Sequence, residues 1–236
     1  MLKIKSEGYI TEKGRYAINE DTLSFIRGLL YMICDGVGGN GNGQVASQLV
    51  CNSIAALLKV EPEINLAILL QQVEEQISKH KKKYPSTTTM ASTIAFIQIC
   101  TSIIRIAWIG DTTIYQIRNG KIIYKSISHT WIQEAINMGE ITELESYFHP
   151  NKNQVTRCIR GSEYPTAFDS FICTDIQEND FLMVCSDGIQ EAWIDSDLET
   201  LFVSDKNAKE VIKKIQEQCT IFSTDNYSAI VIQVGV

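Results

Sequence analysis

Strand-like blocks that enclose helices in pairs constrain this chain most. Residues 3–10 alternate apolar and polar, and residues 25–34 form an apolar run, so both read as strands. Two segments of helical period follow, 44–58 and 64–81, parted by Glu61-Pro62-Glu63. After Tyr84-Pro85 come four short strand patterns, 93–100, 103–109, 113–118 and 121–125. Asn119-Gly120, between the last two, is a two-residue hairpin signal because both residues tolerate positive φ. Helical period returns over 130–147, with Gly139 as a stop and Thr142 to Glu145 as a capping box, and residues 149–166 are polar and irregular. Strands are expected at 168–174 and 180–185, then short helices, a helix over 208–219 and a last strand over 228–234. The pattern predicts an α+β fold, a four-layer αββα sandwich with two central, mainly antiparallel β-sheets flanked by helix pairs. No repeat or low-complexity linker divides it, so residues 1–236 are expected to form a single domain.

The charge balance excludes some functions. With 28 acidic against 21 basic residues and a net charge of −7, a nucleic acid is not the expected partner. The one basic cluster, Lys79 with Lys81, Lys82 and Lys83, closes a helical pattern, where cations complement the helix dipole. No apolar run reaches the roughly 18 residues of a membrane span, and the first residues lack a secretory signal. A cytoplasmic monomer with no membrane partner is expected. Seven scattered cysteines without CxxC spacing read as buried free thiols.

The acids carry the chemistry. Asp35 follows the apolar run Leu29-Leu30-Tyr31-Met32-Ile33-Cys34, Asp187 follows Phe181 to Ser186, and each precedes a glycine. Asp111 follows the strand at 103–109, Glu20 and Asp21 precede the strand at Leu23, and Asp225 precedes the last strand. Five strand ends thus deliver at least one carboxylate each. Hard divalent cations take oxygen ligands, and a glycine lets a backbone carbonyl join the carboxylates. Two such ions roughly 3.5–4 Å apart can share and activate a water for attack at phosphorus. A single Asp-Gly is first of all a turn.

The ordered motifs go further. Asn19-Glu20-Asp21 is followed by Asp35-Gly36-Val37-Gly38-Gly39, Gly43 and Ala46-Ser47. Then come Met90-Ala91-Ser92-Thr93, Gly110-Asp111-Thr112, His129, Gly139-Glu140-Ile141-Thr142, Asn153-Gln154-Val155-Thr156 with Gly161, Ser186-Asp187-Gly188 and Asp225-Asn226. This series resembles the metal-dependent serine/threonine protein phosphatases of the PP2C-like (PPM) family, bacterial type, over essentially the whole chain. The resemblance implies that Asp35, the Gly36 carbonyl, Asp187 and Asp225 bind two core ions, Mn²⁺ or Mg²⁺, with Glu20 and Asp21 at or just behind them. Asp111 matches the acid that can help hold a third ion. Asp35, Asp187 and Asp225 would be the catalytic set, and the implied partner is a phosphorylated protein, the substrate of a serine/threonine kinase.

The chain also departs from that pattern. Many relatives carry an arginine that meets the phosphate three positions before the Asn of Asn-Glu-Asp, and Tyr16 stands there, with Arg15 beside it. Asn40, Gln44, Ser128 and Thr113 likewise replace residues common in the family. A catalytically impaired relative acting as a binding or sensing domain is therefore the alternative. A further rival is nucleotide binding, since residues 36–41 spell GxGxxG after an apolar strand. Asp35 would repel a pyrophosphate there, and βαβ repeats are lacking. Of the three histidines, His129 is either a proton shuttle or an exposed loop residue, the second being the default for a loop.

Overall fold

The computed structural model describes residues 2–38, 42–101, 103–146, 149–152, 154–202 and 206–235. Gly39, Asn40, Tyr147 and Asn153, named above, lie outside them. Strand β1 (Lys3–Glu12) is followed by β2 (Thr22–Ile26), β3 (Leu30–Cys34), β4 (Gly36–Val37) and the helices α1 (Asn42–Val60) and α2 (Leu66–Lys83). Next come β5 (Ala91–Ser92), β6 (Ile94–Ile99), β7 (Ile104–Ile109), β8 (Thr113–Arg118), β9 (Lys121–Lys125), α3 (Trp131–Asn137) and α4 (Glu143–Ser146). The chain ends with β10 (Asp169–Cys173), β11 (Phe181–Cys185), α5 (Asp187–Ala192), α6 (Asp195–Glu199), α7 (Ala208–Phe222) and β12 (Tyr227–Gly235).

Two five-stranded sheets result among the described residues, ordered β1-β12-β11-β8-β9 and β10-β7-β6-β3-β2, with a small β4-β5 ribbon beside them. Each strand pairing is antiparallel. A parallel dinucleotide-binding sheet is thereby excluded, and the Gly36-Val37 part of the GxGxxG forms the ribbon with Ala91 and Ser92.

Strand alternation sorts the core into three layers. In β3, Tyr31 and Ile33 face Leu182, Val184, Ile230 and Ile232 between the sheets. Leu30, Met32 and Cys34 face outward to Val50, Ile54, Leu69 and Val73 of α1 and α2. On the other side Met183, Cys185 and Val231 meet Val211, Ile215 and Cys219 of α7. Each fully buried aliphatic side chain contributes on the order of 1.5–3 kcal/mol. The four-layer expectation holds, helices outside and sheets within. Among the described residues no helix is long and apolar enough to cross a membrane.

One expected strand is divided. The apolar run 25–34 turns at Arg27-Gly28-Leu29, and the two halves pair as β2 and β3, Ile26 opposite Leu30. Arg27 and Gly28, a charge and a glycine at φ 72°, break the run there, a turn signal that reading 25–34 as one strand passes over. Asn119 and Gly120 have φ of 50° and 72°, the left-handed pair that a twisted two-residue hairpin requires. Thr142 and Glu145 form the expected capping box, with the Thr142 N–H 2.8 Å from Glu145 Oε2.

Candidate active site

Sheet direction gathers the acids. β3 and β7 each pair antiparallel with β6 and so run the same way, which puts Asp35 and Asp111 at one end of their sheet. β2 is antiparallel to β3, so Glu20 and Asp21, before its first residue, join that end. In the facing sheet β11 ends beside the start of β12, which brings Asp187 toward Asp225. Glu20, Asp35, Gly36, Asp111, Asp187 and Asp225 line one cavity of about 760 Å³, with Tyr16, Ile18, Val37, Val155 and Cys158 among its other walls. No Lys or Arg stands among the described lining residues. Asp21 lies behind the wall, 7% exposed, its Oδ2 accepting from Ser186 Oγ at 2.7 Å.

The local sequence explains how each acid is held. The Asp35 N–H donates to Thr93 Oγ1 at 3.1 Å, and its carbonyl accepts from the Thr93 N–H at 2.8 Å and Ser92 Oγ at 3.0 Å. A side chain on Gly36 would collide with the Gly43 and Glu20 carbonyls, so only glycine lets the start of α1 and the Glu20 segment close on Asp35. Asp187, expected at a strand end before a glycine, is also the first residue of a helix. It opens α5, where a helix N-terminus favours a carboxylate. Asn226 Oδ1 accepts from the Glu20 N–H at 2.7 Å, and Glu191 accepts from the N–H groups of Thr224 and Asp225 at 2.6 and 3.1 Å.

The cluster is electrostatically overloaded. Burial, and then the charges of Asp21, Asp187, Asp111 and Asp225, hold the Asp35 carboxyl well above the usual range. Burial likewise raises Asp187, with Asp111 and Asp225 adding to it. Asp21 and Asp111 are pushed up to about 6, chiefly by burial. Asp225 moves in the same direction, again mainly through burial. Asp21 Oδ1 and Asp111 Oδ1 are buried without a hydrogen-bond partner. Unpartnered buried oxygens amid like charges fit a cation. Among the described residues no three His, Cys, Asp or Glu side chains are gathered as a ready metal cage. A fitting ion would therefore complete its shell with backbone carbonyls and waters, as Mg²⁺ does beside one or two carboxylates.

The Protein phosphatase 2C family model matches residues 17–226. The chain belongs to that family. Among similar proteins, the serine/threonine phosphatase stp of Listeria welshimeri is 27% identical over 77% of this chain and 74% of its own length. PstP of Mycobacterium tuberculosis is 26% identical over 77% of this chain, which spans about a third of that longer protein, 35%. The crystal structure of M. tuberculosis PstP/Ppp superposes with a TM-score of 0.86 at 24% identity, covering 100% of this chain and 99% of that one. A PstP catalytic domain in complex with two manganese ions gives 0.83 at 23%, covering 100% and 99%. At these identities the structures show the fold, a PP2C sandwich.

Several residues fall differently from their sequence reading. His129 is neither on the surface nor on the cavity wall. It is buried against Trp108, Nδ1 accepts from the Gly110 N–H at 2.9 Å, and its own N–H donates to the Gly110 carbonyl at 2.9 Å, which fixes the turn into Asp111. Burial lowers its pKa. Tyr16 lines the cavity, whereas Arg15 is exposed and is not among the described lining residues. The bracing roles of Asn226 and Glu191 are not visible in spacing alone, although Glu191 lies one helical turn after Asp187, at i+4. All seven cysteines are free, and five are buried.

Proposed function

We propose that this PP2C-family chain hydrolyses phosphoserine and phosphothreonine in proteins, with two Mn²⁺ or Mg²⁺ ions held in the acidic cavity. The observation that carries the reading is a wall of five carboxylates with no described cation, backed by buried, unpartnered oxygens on Asp21 and Asp111. The names of the relatives and the two manganese ions of the PstP structure support it. Asp35, the Gly36 carbonyl, Asp187 and Asp225 would hold the ions. Glu20 and Asp21 would brace them through coordinated waters, and a third ion, if bound, would fall to Asp111. Bound there, the ions would lower the pKa of a water nucleophile and offset charge on the phosphoryl oxygens.

The protein's own part is positioning. Thr93, Ser92, Asn226 and Glu191 fix the backbone of Asp35, Glu20 and Asp225 before substrate arrives, so the main chain that carries these acids is set in advance. Tyr16 offers a phenol where a guanidinium fork would grip phosphate, so phosphate capture rests on the ions. That favours keeping a second reading, a binding or sensing domain with impaired turnover. Purified protein should hydrolyse p-nitrophenyl phosphate with Mn²⁺ or Mg²⁺ and stop with EDTA. Turnover that survives complete metal removal rules out the two-ion reading, and tight Mn²⁺ binding by calorimetry without hydrolysis supports the sensing role.

A further inference from the structure

The mouth of the cavity exposes large apolar side chains. Tyr16, Ile18 and Val37 are 57%, 43% and 38% exposed, and all three line the acidic cavity, as do Ala17 and Val155. Scattered exposed apolar residues need no explanation, but a contiguous set rimming a site does.

The rim is held in place. Asn226 Nδ2 donates to the Lys13 carbonyl at 2.9 Å and the Ile18 carbonyl at 3.1 Å, while its Oδ1 accepts from the Glu20 N–H. One amide thus staples the segment 13–20 at three points. The Arg15 N–H donates to the Thr224 carbonyl at 3.1 Å, and the Tyr16 N–H to the Lys13 carbonyl at 3.1 Å. Gly14, at φ 56°, lies so close to the Asp225 carbonyl that any side chain there would collide. The charge of Asp225 is the largest influence on the Tyr16 phenol and raises its pKa. Across the mouth, Val37 is fixed by the β4-β5 pairing with Ala91.

Resting on the phosphatase reading above, we infer that this rim is a specificity surface that seats a bulky apolar side chain next to the phosphoresidue of the substrate. The exposed apolar side chains select the occupant: an apolar neighbour of the phosphoresidue is taken out of water on Tyr16, Ile18 and Val37, whereas an acidic neighbour is repelled by the acids, the only charged groups among the described lining residues.

The test uses two phosphothreonine peptides of equal charge, one with leucine and one with serine on both sides of the phosphoresidue. Binding of their non-hydrolysable phosphonomethyl analogues is measured by fluorescence anisotropy with Mn²⁺, and hydrolysis is measured on the phosphates. Wild type should bind the leucine peptide about five- to tenfold more tightly, the order expected for partial burial of one such side chain. Ile18→Ser with Tyr16→Ser should reduce the ratio to near one, and both positions are exposed enough to leave the fold intact. Equal binding of the two peptides by wild type, or a preference that survives in the variant, overturns the rim. A preference in binding without hydrolysis of either peptide keeps the rim and overturns the phosphatase reading. Hydrolysis of both at equal kcat/KM does the reverse.

Discussion

Asp21 shows most simply what the acidic centre costs. It is buried, only one of its oxygens has a partner, and its pKa is pushed up to about 6. A carboxyl raised above its unfolded value favours the protonated fold. Its contribution to stability is fully present below about pH 4 and is lost as pH rises through 6, on the order of 3 kcal/mol by pH 7. Asp21→Asn should therefore raise the melting temperature of EDTA-treated protein at pH 7.5, and by much less at pH 4.5. An equal rise at both values would mean that charge is not the cause. Tyr16 makes the second case at this scale. Lost uniform binding appears in KM rather than kcat, so Tyr16→Arg should lower KM for p-nitrophenyl phosphate several-fold, while Arg15→Ala, at an exposed residue that does not line the cavity, should do little. A strong rise in KM for Arg15→Ala would make Arg15 the phosphate clamp instead.

At the scale of elements, the segment that supplies Gln154, Val155 and Cys158 to the cavity is strapped down from behind. Glu74 of α2, 2% exposed, accepts through Oε2 from the N–H groups of Arg160, Gly161 and Ser162, the last at 2.9 Å. Lys81 donates to the Arg160 carbonyl at 2.7 Å, and Arg157 reaches Asp169 at 2.9 Å. Removing the carboxylate leaves three donors without it, at about 1–3 kcal/mol for each that stays dry. Glu74→Ala should raise KM for a phosphopeptide, which must lean on this segment, and leave p-nitrophenyl phosphate turnover within about twofold. Equal losses on both substrates would mark the strap as purely structural. The acids of the centre are legible in the sequence because each stands at the end or just before the start of an apolar strand, where a charge has to have a reason. Glu74 is not, because a glutamate in a helix reads as solvated, even though the period that buries Leu70, Val73 and Ile77 buries it too. His129 escapes for a related cause, since its burial depends on Trp108 and Asp169, far from it in sequence. The β2-β3 turn is legible in Arg27-Gly28, a charge and a glycine inside an apolar run, and reading 25–34 as one strand passes over that signal.

For the molecule as a whole, the two sheets bring their acid-bearing ends together, so the charges of Asp21, Asp111, Asp187 and Asp225 all bear on Asp35. The hydrophobic layers between and outside the sheets hold that arrangement against the repulsion. Any ion that binds only the folded state recovers the difference, by about 2.7 kcal/mol at a hundredfold excess over its dissociation constant. In a chain of this size that is a rise of roughly 5–10 °C in melting temperature. Mn²⁺ should therefore stabilise metal-free wild type by that amount at pH 7.5. Asp187→Asn should start from a higher melting temperature in EDTA, because one repelling charge is gone, and gain distinctly less on adding Mn²⁺, because one ligand is gone. The two changes have opposite signs and a common origin, so a substitution that merely loosens the fold cannot imitate them. Equal gains from Mn²⁺ in wild type and Asp187→Asn would show that Asp187 is not a ligand and would move the ion sites toward Asp35 and Asp111.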